Sequence, residues 1–234
     1  MSPFTIIAVV TIVVVEDGSP RAEPPVSVPR ARGVVIDGTL DDAEWRGSAV
    51  VRRPEGEVLL RHDGKYLYIG VRAVGRGFPS VCFARGELIR VAHASYALGD
   101  VVYTKSGTTW KLGAPFAWAP LALGPEVEQQ RARFLTEHGW IASTTPMGKP
   151  RDAEMQIALD QLDPRDPRIS VAFFLEDEGR GESIAAWPRG RRDDCANDRL
   201  VRGYPPERLT FKPKTWTKLT LAPRAKSSHY EPRA

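Results

Sequence analysis

The dipeptide Asp63-Gly64, set between two apolar alternating runs, constrains the fold of this chain more than any other feature. Val58-Leu59-Leu60-Arg61-His62 precedes it, and Lys65-Tyr66-Leu67-Tyr68-Ile69-Gly70-Val71 follows. Asp-Gly in this setting predicts a hairpin with a type I′ two-residue turn, in which both central residues need φ > 0. Leu67, Ile69 and Val71 fall on one face of the second strand and Tyr66 and Tyr68 on the other, the period of two expected of a half-buried strand. Further strands are expected over residues 88–92, 101–103, 109–112, 141–144, 153–159, 169–175 and 183–187. The run at 169–175 (ISVAFFL) is apolar on both faces and reads as a central strand. One helix is signalled by Pro125 at a first helical position, by Val127, Arg131, Phe134, Leu135 and His138 on one face, and by Gly139 at the stop. Residues 209–221, with Trp216, close the fold. Short strands with turn signals roughly every 8–12 residues indicate an all-β sandwich or barrel rather than βαβ units.

A chain of 234 residues is long enough for one large all-β domain with its own core. The pattern divides it into an apolar segment and Pro-rich linker at 1–32, a single β-sandwich domain at 33–223 and a tail at 224–234. Residues 4–15 (FTIIAVVTIVVV) fall short of the ~20 apolar residues that span a bilayer. They have the length of a signal-peptide core, although Met1-Ser2-Pro3 brings no Lys or Arg. The segment is either an export signal or a strand rich in Val and Ile. The export reading carries the expectation of an extracellular or periplasmic domain without stable membrane insertion. Cys82 and Cys195 show no C-x-x-C spacing; they would bridge in an exported protein and stay reduced in the cytosol. The net charge of +4 comes from scattered Arg. The basic clusters at 189–192 and 224–226 lack the interleaved aromatics of a single-strand groove, so nucleic acid is not an expected partner.

No G-x-S-x-G, Walker A or H-E-x-x-H motif occurs. Asp160, Asp163 and Asp166 are interrupted by Pro164 and Pro167 and read as a turn with caps. Four tryptophans sit next to turn signals: Trp110 after Gly107-Thr108-Thr109, Trp118 between Pro115 and Pro120, Trp140 after Gly139, and Trp187 before Pro188. Loop and strand-end aromatics are where a ring-stacking ligand face would be built, with Trp110 and Trp140 best placed. Trp45 and Trp216 read as core. Asp177, Glu178 and Glu182, around Gly179 and Gly181, form an acidic loop of the kind that suits calcium, and equally a solvated turn.

The segment Ile36-Asp37-Gly38-Thr39-Leu40-Asp41-Asp42-Ala43-Glu44-Trp45 combines a turn signal, a capping box from Asp41 to Glu44 and a Trp returned to the core. It resembles the opening motif of family 9 carbohydrate-binding modules and their DOMON-like relatives, roughly I-D-G-x-L-D-E-x-x-W. The strand after Lys65 is similar to the next strand of that group. Glu154-Met155-Gln156-Ile157-Ala158-Leu159 with Leu162 is similar to its later E-x-x-I-P-x-x-x-L strand, with Ala158 in place of proline. The resemblance covers roughly residues 34–221 and implies a jelly-roll-like antiparallel sandwich. It implies a non-catalytic domain that binds a saccharide and needs no cofactor beyond a structural calcium. Its DOMON-like side implies an alternative, a haem-binding redox module, for which His93 and Met147 are the available axial pair. An envelope interaction domain without a small ligand is the third expectation.

Overall fold

The computed structural model describes residues 23–74, 76–95, 97–114, 117–120, 126–144, 152–177, 181–188 and 194–223. Numbered along the chain, the first strands are β1 (Val26–Val28), β2 (Ala49–Arg53), β3 (Gly56–His62), β4 (Tyr66–Ala73) and β5 (Arg76–Arg85). They are followed by β6 (Leu88–Ala94), β7 (Ala97–Ser106), β8 (Thr109–Leu112), β9 (Ala117–Pro120) and the helix α1 (Val127–His138). The remainder comprises β10 (Trp140–Thr144), β11 (Asp152–Ala158), β12 (Arg168–Asp177), β13 (Gly181–Trp187), α2 (Asp198–Val201), β14 (Arg208–Leu209) and β15 (Thr217–Leu221). Two sheets result, a smaller one in the order β10-β11-β4-β3-β2 and a larger one running β1-β15-β12-β5-β6-β7-β8-β14. Strand β13 also pairs with β12, and β9 with β7. The fold is an all-β sandwich with two short helices. Among the described strands, β1 pairs with β15 in parallel, which departs from the antiparallel expectation.

Period-two alternation explains why the larger sheet is buried on both faces. On β5, Val81 and Phe83 face the smaller sheet, whereas Cys82 points the other way into a second core. On β12, Ile169, Val171, Phe173 and Leu175 face inward and Ala172 outward, as a central strand requires. The second core is closed by the segment from Cys195 to Trp216, which lays Leu200, Val201, Leu209, Phe211 and Trp216 against Ile89, Val91, Val101 and Tyr103. Cys82 and Cys195 are joined in a disulfide that pins this cover to β5.

The smaller sheet is capped by the segment before β2. Gly70, in the middle of β4, leaves room for it: a Cβ there would come within 2.8 Å of Leu40 and 3.1 Å of the Trp45 ring. Beside it on β11, opposite Gly70, the fully buried Glu154 gathers the cap. One carboxylate oxygen accepts the Asp37 and Gly38 amides, both at 2.9 Å, and the other accepts Trp45 Nε1 at 2.8 Å. Burial outweighs these donors and pushes the Glu154 carboxyl up to about 7. Arg131 of α1 donates to Ile36 O and Ala142 O and tethers the helix to the same corner. The two motifs singled out in sequence, 36–45 and 154–159, are thus one hydrogen-bonded lock.

Two local expectations are corrected. The turn at Asp63-Gly64 is not type I′, because no described residue other than glycine has positive φ and only Gly64, at 100°, does so here. Asp63 instead accepts the Lys65 and Tyr66 amides on one oxygen, each at 2.7 Å, making an Asx turn inside a longer loop. The folded domain also begins before residue 33. Val28 is fully buried, β1 pairs with β15, and Glu23 bonds Trp187 and Arg53, so residues assigned to a linker belong to the sandwich.

Candidate functional site

Three of the four tryptophans expected to stack on a saccharide are core residues. Trp140 is fully buried, donates Nε1 to Asp100 Oδ1 at 2.7 Å, and meets Phe134 edge-on at 5.2 Å. Trp187 is fully buried and donates to Glu23 Oε2 at 2.8 Å. Trp110 is 6% exposed, donates to Phe211 O at 3.2 Å and sits edge-to-face with that ring. Each indole N–H finds an acceptor inside the protein, which is how so large a ring is buried without loss. The neighbouring Gly and Pro mark strand ends, not exposed loops: β10 starts at Trp140 and β13 ends at Trp187. The Trp118 backbone, in β9, pairs with Gly99 of β7, and its side chain lies outside the described residues.

The other candidates do not assemble either. His93 is buried, with Nδ1 2.8 Å from Ser80 Oγ, and Met147 lies outside the described residues. Glu182 is exposed and its carboxylate is 2.7 Å from Arg202, while the side chains of Asp177 and Glu178 lie outside the described residues. Among the described residues no group of three or more His, Cys, Asp and Glu is arranged to hold a metal. No described helix is long and apolar enough to cross a membrane.

Burial lowers the His93 imidazole to about 4. A neutral, buried His is protonated more readily in the unfolded chain, so its contribution is complete above the unfolded value near 6.5 and is lost as pH falls toward 4. Glu154 acts oppositely: its raised pKa stabilises the fold at low pH and that contribution fades as pH rises through 7. The stability difference between wild type and His93→Gln isolates the first effect. Urea titrations from pH 7 to pH 4 are expected to show wild type losing about 3 kcal/mol relative to the variant.

An open cleft of about 510 Å³ lies where the two sheets meet at one end of the sandwich. Its walls are the Gly64–Tyr66 turn, the last turn of α1, Arg90 of β6, and the stretch 158–161 that follows β11. This volume falls within the roughly 300–1,000 Å³ of small-ligand sites. A second cavity of about 280 Å³ beside Trp110 falls below it. There Asp166 is held by Arg168 at 2.7 Å and Lys218 at 3.1 Å, which keeps its carboxyl below the ordinary range.

In the larger cleft Tyr66 is half-buried, 6.4 Å from Tyr68, whose hydroxyl donates to Asp63 Oδ2 at 2.8 Å. The Lys65 ammonium sits 4.8 Å over the Tyr66 ring. Gln161 Nε2 donates to Asp160 Oδ1 at 3.2 Å on the facing wall. Arg90 Nη1 donates to His138 O, and its Nε lies 3.6 Å from Asp100, the carboxylate that also holds Trp140 and lies 3.0 Å from His138 Nδ1. An aromatic ring thus stands among convergent donors and acceptors on a rigid frame. Apart from the buried Trp140, none of these residues stood out as a ligand group in the sequence. The available signal was Tyr66 two residues after the Asp63-Gly64 dipeptide, on the strand face opposite the apolar one.

No family model matches the sequence, and no curated protein matches it. The fold is similar to that of a family 9 carbohydrate-binding module from Caldicellulosiruptor kristjanssonii solved with cellotriose, at 10% identity and a TM-score of 0.49, covering 90% of this chain and 100% of that one. The structure of such a module from that organism with glucose gives 11% identity and a TM-score of 0.44, over 88% of this chain and 100% of that one.

Proposed function

We propose that this domain binds a saccharide without chemistry of its own, in the cleft between the Asp63-Gly64 turn and the end of α1. The observation that carries the reading is the half-buried Tyr66 ring in a cleft whose other walls present Lys65, Arg90, Glu137, Asp160 and Gln161. A pyranose offers an apolar face to a ring and hydroxyls to surrounding polar groups, and the cleft supplies both kinds of contact. The side chain that a stacked sugar displaces is Lys65, which is exposed and flexible. The sequence resemblance to family 9 modules at 36–45 and 154–159 supports the same ligand class. The Cys82–Cys195 bridge supports an exported protein, since such bonds persist in oxidising compartments.

Calorimetric and thermal-shift titration of the full chain with neutral and acidic mono- and oligosaccharides tests this. A ligand at 100 times its Kd stabilises the fold by about 2.7 kcal/mol, an easily seen shift in Tm. Tyr66→Ala is expected to weaken binding at least tenfold, about 1.4 kcal/mol, with Trp110→Phe matching wild type. A well-folded chain whose melting is indifferent to every glycan rules the proposal out.

A further inference from the structure

Beside the cleft lies an annex of about 270 Å³ that shares Arg90 and Gln161 with it. The register of β5, β6 and β7 builds the annex: Phe83 pairs with Arg90 and Arg90 with Val102, while Arg85 pairs with Leu88 in the next row. Alternation puts Phe83, Arg85, Leu88, Arg90 and Val102 on one face of the sheet. The annex therefore has apolar walls, one side-chain amide and two guanidinium groups, and every ionisable residue lining it is cationic. The main cleft is different, since Glu137 and Asp160 there balance Lys65 and Arg90.

Both guanidiniums are held from behind. Arg85 Nη1 donates to Asp160 O and Arg90 Nη1 to His138 O, so each is anchored by a backbone carbonyl and keeps further N–H donors for a guest. A pre-positioned planar fork with apolar flanks matches a carboxylate, which it can bind in two parallel hydrogen bonds. Asp100, 3.6 Å from Arg90 Nε, offsets part of the Arg90 charge, whereas Arg85 is held through a backbone carbonyl.

We propose that the annex receives the carboxylate of an acidic saccharide, so that the ligand is a uronic-acid-containing oligosaccharide with one ring at Tyr66 and a carboxylate at Arg85 and Arg90. This rests on the saccharide reading of the cleft. It adds ligand class and polarity, because the acid group must lie on the Arg85 side of the ring.

The test is calorimetry of the full chain with a panel of tri- to pentasaccharide uronates, each paired with its methyl-esterified form. At least one uronate is expected to bind tenfold or more tightly than its ester, and Arg85→Gln is expected to bring that ratio within twofold of one. Tyr66→Ala should weaken acid and ester alike. Equal binding of acids and esters by the wild type overturns the acidic-ligand assignment while leaving saccharide binding intact. A preference for acid that survives in Arg85→Gln overturns the annex as its source. Failure of every saccharide to bind removes the function on which the assignment rests.

Discussion

Cys82→Ala/Cys195→Ala is expected to lose about 4 kcal/mol of stability, the largest single effect anticipated for this domain. The bridge closes a loop with a sequence separation of 113 residues, and constraining a loop that long in the unfolded chain is worth roughly 4–5 kcal/mol. Both sulfurs are also fully buried in the second core, so their removal leaves small voids beside Ile89, Val91 and Ala172. The cover that the bridge pins, from Cys195 to Trp216, contributes only α2, the two-residue β14 and two single 3-10 turns at Asp194–Ala196 and Pro213–Thr215 as regular structure. It is therefore the part expected to open first. Urea titration of the double variant, with hydrogen exchange on amides of this segment, measures both effects. A loss below 1 kcal/mol with unchanged exchange would mean that Leu200, Phe211 and Trp216 dock the cover without covalent help.

Glu154→Gln is expected to cost about 3 kcal/mol at neutral pH. Glu154 spends one oxygen on two backbone amides and the other on the Trp45 indole, so every facing group is a donor. A glutamine matches this on one side only, and its NH₂ then opposes another N–H in a buried site, which costs roughly 1–3 kcal/mol beyond the lost bond. Trp45→Phe removes the opposing donor, so the double variant should be more stable than the sum of the single losses by about 1 kcal/mol or more. Strict additivity would show that the indole is held by packing alone. Gly38→Ala probes the same lock from the backbone. Gly38 has φ 92°, and a Cβ would sit 2.6 Å from the Thr144 carbonyl carbon, so a comparable loss is expected there.

The elements read correctly from sequence are those whose local signals agree with their tertiary role. The β3–β4 hairpin has alternation and a turn dipeptide, β12 is apolar on both faces because both its faces are covered, and α1 ends at Gly139 as expected. Strand β5 escaped notice because Gly77 and Pro79 interrupt it. The structure tolerates that proline because pairing with β6 begins only at Ser80, so a missing amide there interrupts no bond on that edge. Strand β1 hides in a Pro-rich segment, and its three residues gain their place only by meeting β15 across the whole chain. The site was less legible than the fold. A Trp beside Gly or Pro looks the same in sequence whether its indole faces solvent or a buried acceptor, and Asp100 and Glu23, which hold Trp140 and Trp187, are 40 and 164 residues away. The cleft is drawn from four separate stretches, so no local spacing announces it.

The parallel pairing of β1 with β15 sets how the domain responds to tension. Val26 lies opposite Leu219 and Val28 opposite Leu221, so chain arriving at Val26 and chain leaving Leu221 depart from opposite ends of one short ladder. Pulling through both segments slides the two strands past each other along their own direction. The rungs then bear the load together instead of parting one after another, and the barrier to forced unfolding, which sets the rate at which a loaded domain gives way, is correspondingly high.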